Sequence, residues 1–104
     1  MRPSLYQAVH RIEPVVARGR ATAAVDVVGP VCETGDFFAR ARELEDVAQG
    51  ELLALLDAGA YGFVMASNYN MRPRPAEALV DGGAARLVRR RESFDDLVRA
   101  ELTS

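Results

Sequence analysis

The sequence predicts a mainly β domain, built of antiparallel strands with short helices and a helical finish. Three observations carry this expectation. Residues 22 to 28 alternate, with Ala23, Val25 and Val27 on one face and Thr22, Ala24, Asp26 and Val28 on the other, the period-two pattern of a strand. Asp81-Gly82-Gly83 separates Glu77–Val80 from Ala84–Arg91, and residues that tolerate positive φ at that spacing mark a β-hairpin. The candidate strands are short and do not alternate regularly with helices, which excludes a βαβ architecture.

Taken in order, Leu5 to Ile12 reads as an extended segment, with Pro14-Val15-Val16 continuing it to a turn at Arg18-Gly19-Arg20. Gly29-Pro30 ends or redirects the 22–28 strand. From Phe37 to Gln49 the propensities favour a helix, because Ala, Arg, Glu and Leu dominate and Phe38, Ala41, Leu44 and Ala48 keep roughly helical spacing. Leu52 to Leu56 is an apolar run bounded by Gly50-Glu51 and Asp57-Ala58-Gly59, which suits a buried strand. Ser93 stands three residues before Asp96, a capping-box-like start, and Phe94, Leu97 and Val98 form an apolar stripe for a short C-terminal helix.

A chain of 104 residues and 11.3 kDa has room for one domain with one modest core. Its composition, 49% hydrophobic and 27% charged, is that of a globular protein. All 13 basic residues are arginine, and against 15 acidic residues they leave a formal charge of −2, which argues against bulk nucleic-acid binding. Without lysine, no side chain here can form a Schiff base with an aldehyde cofactor. Cys32 and His10 are the sole residues of their kinds, so neither an internal disulfide nor a usual zinc site can be assembled, and a reduced, cytoplasmic setting is expected. No apolar stretch approaches the ~20 residues that span a bilayer, and no secretory leader pattern opens the chain.

Several residues could carry chemistry. Cys32 and Glu33 follow a strand and a Gly-Pro bend, where a thiol can project into a cleft and donate a proton; the commoner role of a lone cysteine is a small buried apolar residue. Arg2 and Tyr6 are four apart and share a face of an extended strand, where a guanidinium can grip a carboxylate and a phenol can add a directional hydrogen bond. A solvated terminal arginine and a half-buried tyrosine are the plain alternative. Tyr61 lies between Gly59 and Gly62, which let a phosphate or another backbone approach. Ser67–Asn70 and Arg72–Pro75 read as an angular surface loop. Arg86, Arg89, Arg90 and Arg91 read as a solvated hairpin edge, and His10 as a strand residue with a local hydrogen bond.

Four segments in order, RPSLYQAVH, GPVCETGD, DAGAYGF and SNYNMRPRPAEALV, cover nearly the whole chain. Together they resemble the C-terminal domain of bacterial diaminopimelate decarboxylases, in the family of ornithine, diaminopimelate and arginine decarboxylases that depend on pyridoxal 5'-phosphate. The resemblance implies a Greek-key-like antiparallel β domain with short helices, as in the C-terminal domain of alanine racemase-like and decarboxylase-like enzymes, and an irregular connection over 37–49. It implies that residues 1–104 are that one domain, and that the N-terminal barrel with its cofactor-binding lysine is absent, since Met1 falls inside the family's pattern. By resemblance the full enzyme converts meso-2,6-diaminopimelate to L-lysine and carbon dioxide as a cytoplasmic homodimer, with no membrane or nucleic-acid partner. Cys32 is then the proton donor, Glu33 holds the distal amino group of diaminopimelate, Arg2 and Tyr6 bind substrate, Tyr61 touches cofactor and substrate, and Asp36 braces the loop. The chain alone is expected to be inactive and marginally stable. Two alternatives stay open: a non-catalytic module that pairs with a full-length decarboxylase or a separate barrel chain, and the same domain from an ornithine or arginine decarboxylase.

Overall fold

The computed structural model describes residues 3–102, which divide into two compact units at residues 64 and 65. The first unit opens with a single helical turn, α1 (Pro3–Tyr6), followed by strands β1 (Ile12–Pro14), β2 (Thr22–Val28), β3 (Phe37–Glu45) and β4 (Leu53–Leu55) and by a second turn of helix, α2 (Gly59–Gly62). β2 and β3 form an antiparallel hairpin, and β4 returns to pair antiparallel with β1, Ile12 facing Leu55 and Pro14 facing Leu53. Backbone bonds from Leu56 N to Arg11 O (2.8 Å) and from Val15 N to Leu52 O (2.9 Å) extend that ladder at both ends. A fourth strand lying beside the first, around an intervening hairpin, is the return that a Greek-key-like path requires.

β3 is the hub of this unit, because α1 and β1 pack against it as well as β2. Among the described residues, the buried apolar ones are Ile12, Ala39 and Leu44, at 5%, 6% and 5% exposure. Two of the three lie on β3. They are five residues apart, a spacing that strict alternation would put on opposite faces. A bulge restores the face: Val25 pairs with Arg42 and Val27 with Ala39, so Asp26 opposes both Arg40 and Ala41. Ala41 takes φ +47°, and its N–H donates to Asp26 Oδ1 at 2.7 Å. The extra residue thus finds an acceptor that the ladder cannot supply.

The expected helix over Phe37–Gln49 is instead strand β3 as far as Glu45, and the irregular connection implied there is confined to residues 46–49. Helix propensities span only tenths of a kcal/mol per residue and yield to a continuous cross-strand pairing. The extended reading of Leu5–Ile12 is also corrected. Pro3 begins a helical turn, which its fixed φ favours, Gln7 follows at φ +53°, and no strand stands opposite before Ile12. The strands expected at 22–28 and 52–56, the hairpin around Asp81-Gly82-Gly83 and the capped helix after Ser93 are all present.

The second unit comprises a 3₁₀ turn (Tyr69–Met71), the hairpin β5 (Glu77–Asp81) and β6 (Ala84–Arg89), and α3 (Phe94–Val98). None of the buried apolar residues belongs to it; polar ties hold it instead. Glu92 accepts from Arg74 Nε (2.8 Å), Arg74 N (2.7 Å) and Asn68 Nδ2 (2.7 Å). Arg90 grips Asp96 through both oxygens, at 2.5 and 2.7 Å, and Arg89 meets Glu77 across the ladder. All four arginines of the hairpin run are exposed, as expected of a solvated edge, and Arg89 and Arg90 also engage in ion pairs there. Throughout the described residues, no helix is long and apolar enough to cross a membrane.

Paired carboxylates make the fold acid-sensitive. Hydrogen bonds from Arg20, then from the Ala48 N–H, hold Glu51 down to about 2 from 4.5, and Arg74, with the Asn68 amide, holds Glu92 down to about 2. Both values are lower folded than unfolded, so the stabilisation is complete above pH 4.5 and drains away as pH falls towards 2. Urea midpoints measured between pH 6 and pH 2.5 should fall most steeply below 4.5, and Glu51→Gln with Glu92→Gln should flatten that fall. Both sites are open to solvent, so added salt should shrink the effect.

Candidate functional site

The segment linking β2 to β3, Gly29–Asp36, carries Cys32 and Glu33 at the surface, both exposed. Asp36 closes it at three points. Its backbone oxygen accepts the Gly29 N–H at 2.8 Å, its N–H donates to Glu33 O at 2.9 Å, and its Oδ2 accepts the Val31 N–H at 2.9 Å. The loop is short, and a hairpin holds both of its ends, so the thiol sits on a rigid support. Cys32 is not the buried apolar residue that its type alone favours.

Glu33 turns one oxygen back onto its own loop, with Oε1 accepting the Gly35 N–H at 3.1 Å. The other oxygen makes no such bond within the loop and is the one that could meet a cation. A Cβ placed on Gly35 would lie 3.2 Å from Ser4 Oγ and 3.5 Å from Glu33 Oε1. The glycine therefore lets α1 lie directly against the cysteine loop, which joins two stretches that are remote in sequence.

Tyr6 ends α1, 71% exposed. Tyr6 lies in a helical turn and not in the strand expected for it; Arg2, expected to share its face, lies outside the described residues. Tyr61 stands on α2, 63% exposed, and at neighbouring Gly59 and Gly62 no atom lies within 4 Å of where a Cβ would sit. His10 makes a long-range rather than a local contact, its Nδ1 lying 3.1 Å from Leu56 O, while Arg42 Nη1 donates to its carbonyl at 2.8 Å. It braces the β1–β4 ladder outside any strand.

A thiol and a carboxylate on adjacent exposed positions of a braced loop can deliver a proton and hold an ammonium group side by side. A family profile described as the pyridoxal-dependent decarboxylase, C-terminal sheet domain, matches residues 1–59. The chain belongs to this family.

Relatives of this decarboxylase domain carry the same likeness to the end of the chain. It is 55% identical over 102 residues to a diaminopimelate decarboxylase of Aquifex aeolicus, covering 98% of this chain and 24% of that protein, and 54% identical over 101 residues to the one from Pseudomonas aeruginosa, covering 97% and 24%. The chain thus spans about a quarter of the length of the curated relatives it matches. Among solved structures, a crystal structure from Aquifex aeolicus superimposes with a TM-score of 0.93 at 55% identity, over 97% of this chain and 25% of that one. The Helicobacter pylori diaminopimelate decarboxylase complexed with L-lysine gives 0.87 at 41%, over 96% and 25%. The antiparallel sheet domain expected from the sequence is the family's domain.

One residue of the loop escaped the sequence reading in its full role. Gly29 reads there only as a bend. In the structure a Cβ at Gly29 would fall 2.0 Å from Asp36 Oδ1 and 2.1 Å from Oδ2, a contact between positions seven apart that no local pattern announces.

Proposed function

We propose that residues 1–104 are the C-terminal β domain of a pyridoxal 5'-phosphate-dependent diaminopimelate decarboxylase, supplying the proton donor and part of the substrate clamp to a pocket completed by a barrel and a second subunit. The observation that carries this reading is the 55% identity along almost the whole chain to such an enzyme, joined to a braced surface loop that presents Cys32 beside Glu33. Exposure of Leu5 (71%), Val9 (81%), Leu52 (70%) and Val64 (73%) supports a domain that further protein covers.

Pyridoxal 5'-phosphate supplies the electron sink for the pair left when carbon dioxide departs. The residues present fit a share of its site. The phenol of Tyr61 can hydrogen-bond the cofactor, and the open flanks at Gly59 and Gly62 leave room for a phosphate; the amine that anchors the aldehyde comes from outside this lysine-free chain. Cys32 then gives its proton to the α-carbon, an S–H bond breaking as a C–H bond forms, and the thiolate regains a proton from solvent. Glu33 holds the distal ammonium of meso-2,6-diaminopimelate by a charge-assisted bond, while Arg2 and Tyr6 take up substrate carboxylate and polar groups.

The test compares the chain alone with a hybrid in which it replaces the C-terminal quarter of the Aquifex aeolicus enzyme. With pyridoxal phosphate and meso-diaminopimelate, the hybrid should release carbon dioxide and the chain alone should not. Turnover by the chain alone would overturn the reading. So would a folded hybrid that takes up cofactor yet releases nothing.

A further inference from the structure

Resting on the reading above, we propose that Gly29 and Asp36 form a single steric and hydrogen-bonding clamp that positions Cys32 for proton delivery, and that the absence of a side chain at 29 is required by the carboxylate at 36. The bonds bracket the thiol. Asp36 Oδ2 holds the N–H of Val31, the residue before Cys32, and Asp36 N holds the carbonyl of Glu33, the residue after it. The third bond, Gly29 N to Asp36 O, shuts the base of the loop. Both residues around the thiol are therefore tied to one aspartate.

The place beside Gly29 is occupied by the Asp36 carboxylate itself. A Cβ there would lie 2.0–2.2 Å from Oδ1, Oδ2 and Cγ of Asp36, far inside van der Waals contact, so any other residue at 29 must expel the carboxylate. Gly29 does not take positive φ. The demand for glycine is thus one of space and not of backbone conformation, and it disappears if the carboxylate is removed. Asp36 touches no reacting atom in this scheme; it is a positioning residue.

The consequence is a coupling of defined sign. In the hybrid enzyme, Asp36→Ala should free the Val31 N–H and lower kcat about 100-fold, the scale of a ~1 Å misplacement of a catalytic group, with KM unchanged. Asp36→Asn, whose Oδ1 can still accept from Val31, should recover most of that loss. Gly29→Ala alone should do more damage than Asp36→Ala, in soluble yield and in kcat. The double variant should return to the level of Asp36→Ala, because the clash is gone.

Damage in the double variant equal to or beyond that of Gly29→Ala, or a wild-type kcat for Asp36→Ala, overturns the proposal. Failure of Gly29→Ala to fold is one form of the expected result, since the rescue is then read in soluble yield. Should Asp36→Ala not fold, Asp36→Ser takes its place in the same comparison. A hybrid that folds but never turns over defeats the functional reading alone. The clamp is then judged by Val31 amide exchange and by the alkylation rate of Cys32 on its own peptide, both of which must rise in Asp36→Ala and stay near wild type in Asp36→Asn.

Discussion

Replacing Cys32 by alanine in the hybrid enzyme should lower kcat by about 10²- to 10⁴-fold, the range spanned by a positioned general acid, while leaving KM for meso-diaminopimelate nearly unchanged. In the proposed reaction the thiol acts after carbon dioxide has left, so its loss should affect proton delivery and leave substrate binding nearly intact. Glu33→Gln should do the reverse. Removing the charge from a bond to an ammonium group forfeits about 1.5–3 kcal/mol, which is roughly a 10- to 150-fold rise in KM at 1.4 kcal/mol per decade. Steady-state kinetics on the two variants separate these effects. A Cys32→Ala enzyme that keeps its kcat would remove the thiol from the reaction, and the exposed loop would then need another purpose.

Leu44→Ala should unfold the first unit. A leucine-to-alanine change at a buried site costs about 2–5 kcal/mol in lost transfer energy and cavity, and Leu44, at 5% exposure, is one of only three buried apolar residues among those described. With so small a core the loss rivals the whole stability of a domain this size. The amide spectrum of the isolated chain should collapse in dispersion, and the soluble yield of the hybrid should fall. Leu44→Met, which keeps the volume, should fold. Retention of cooperative unfolding by Leu44→Ala would show that the weight of the core lies elsewhere.

How much of this was legible beforehand differs from element to element. The β2 strand was read to the residue, because one side of it alternates without interruption. The hairpin in the second unit was equally plain, since Asp81-Gly82-Gly83 states its own turn and Gly82 does adopt φ +57°. The capping box at Ser93 and Asp96 is local chemistry and formed as expected. β3 was misread as a helix because two register shifts hide the alternation: an extra residue at Arg40-Ala41 and another at Phe38 shift the period, and what remains mimics a helical spacing. α1 was misread because a single turn of helix leaves too few residues to show any period.

The candidate site divides in the same way. Residue types offered Cys32, Glu33, Arg2, Tyr6 and Tyr61 as candidates, and their roles were named only through the resemblance. Of what supports them, the resemblance anticipated only that Asp36 braces the loop. The atoms that its three bonds join, the seat of Ser4 against Gly35 and the filled space beside Gly29 are contacts that no residue pattern encodes.

By itself, then, the sequence determined the strand-rich class, the hairpin and its turn, the chemically capable side chains and the lack of an amine for an aldehyde cofactor, because each of these depends on residues within a few positions of one another or on composition alone. Only the tertiary structure decided that residues 37–45 pair as a bulged strand, that Pro3–Tyr6 coils into a turn of helix against the cysteine loop, and that the Asp36 carboxylate fills the space beside Gly29. Those outcomes depend on which distant atoms share a space, and pairing and exclusion at a distance outweigh local preferences worth a few tenths of a kcal/mol per residue.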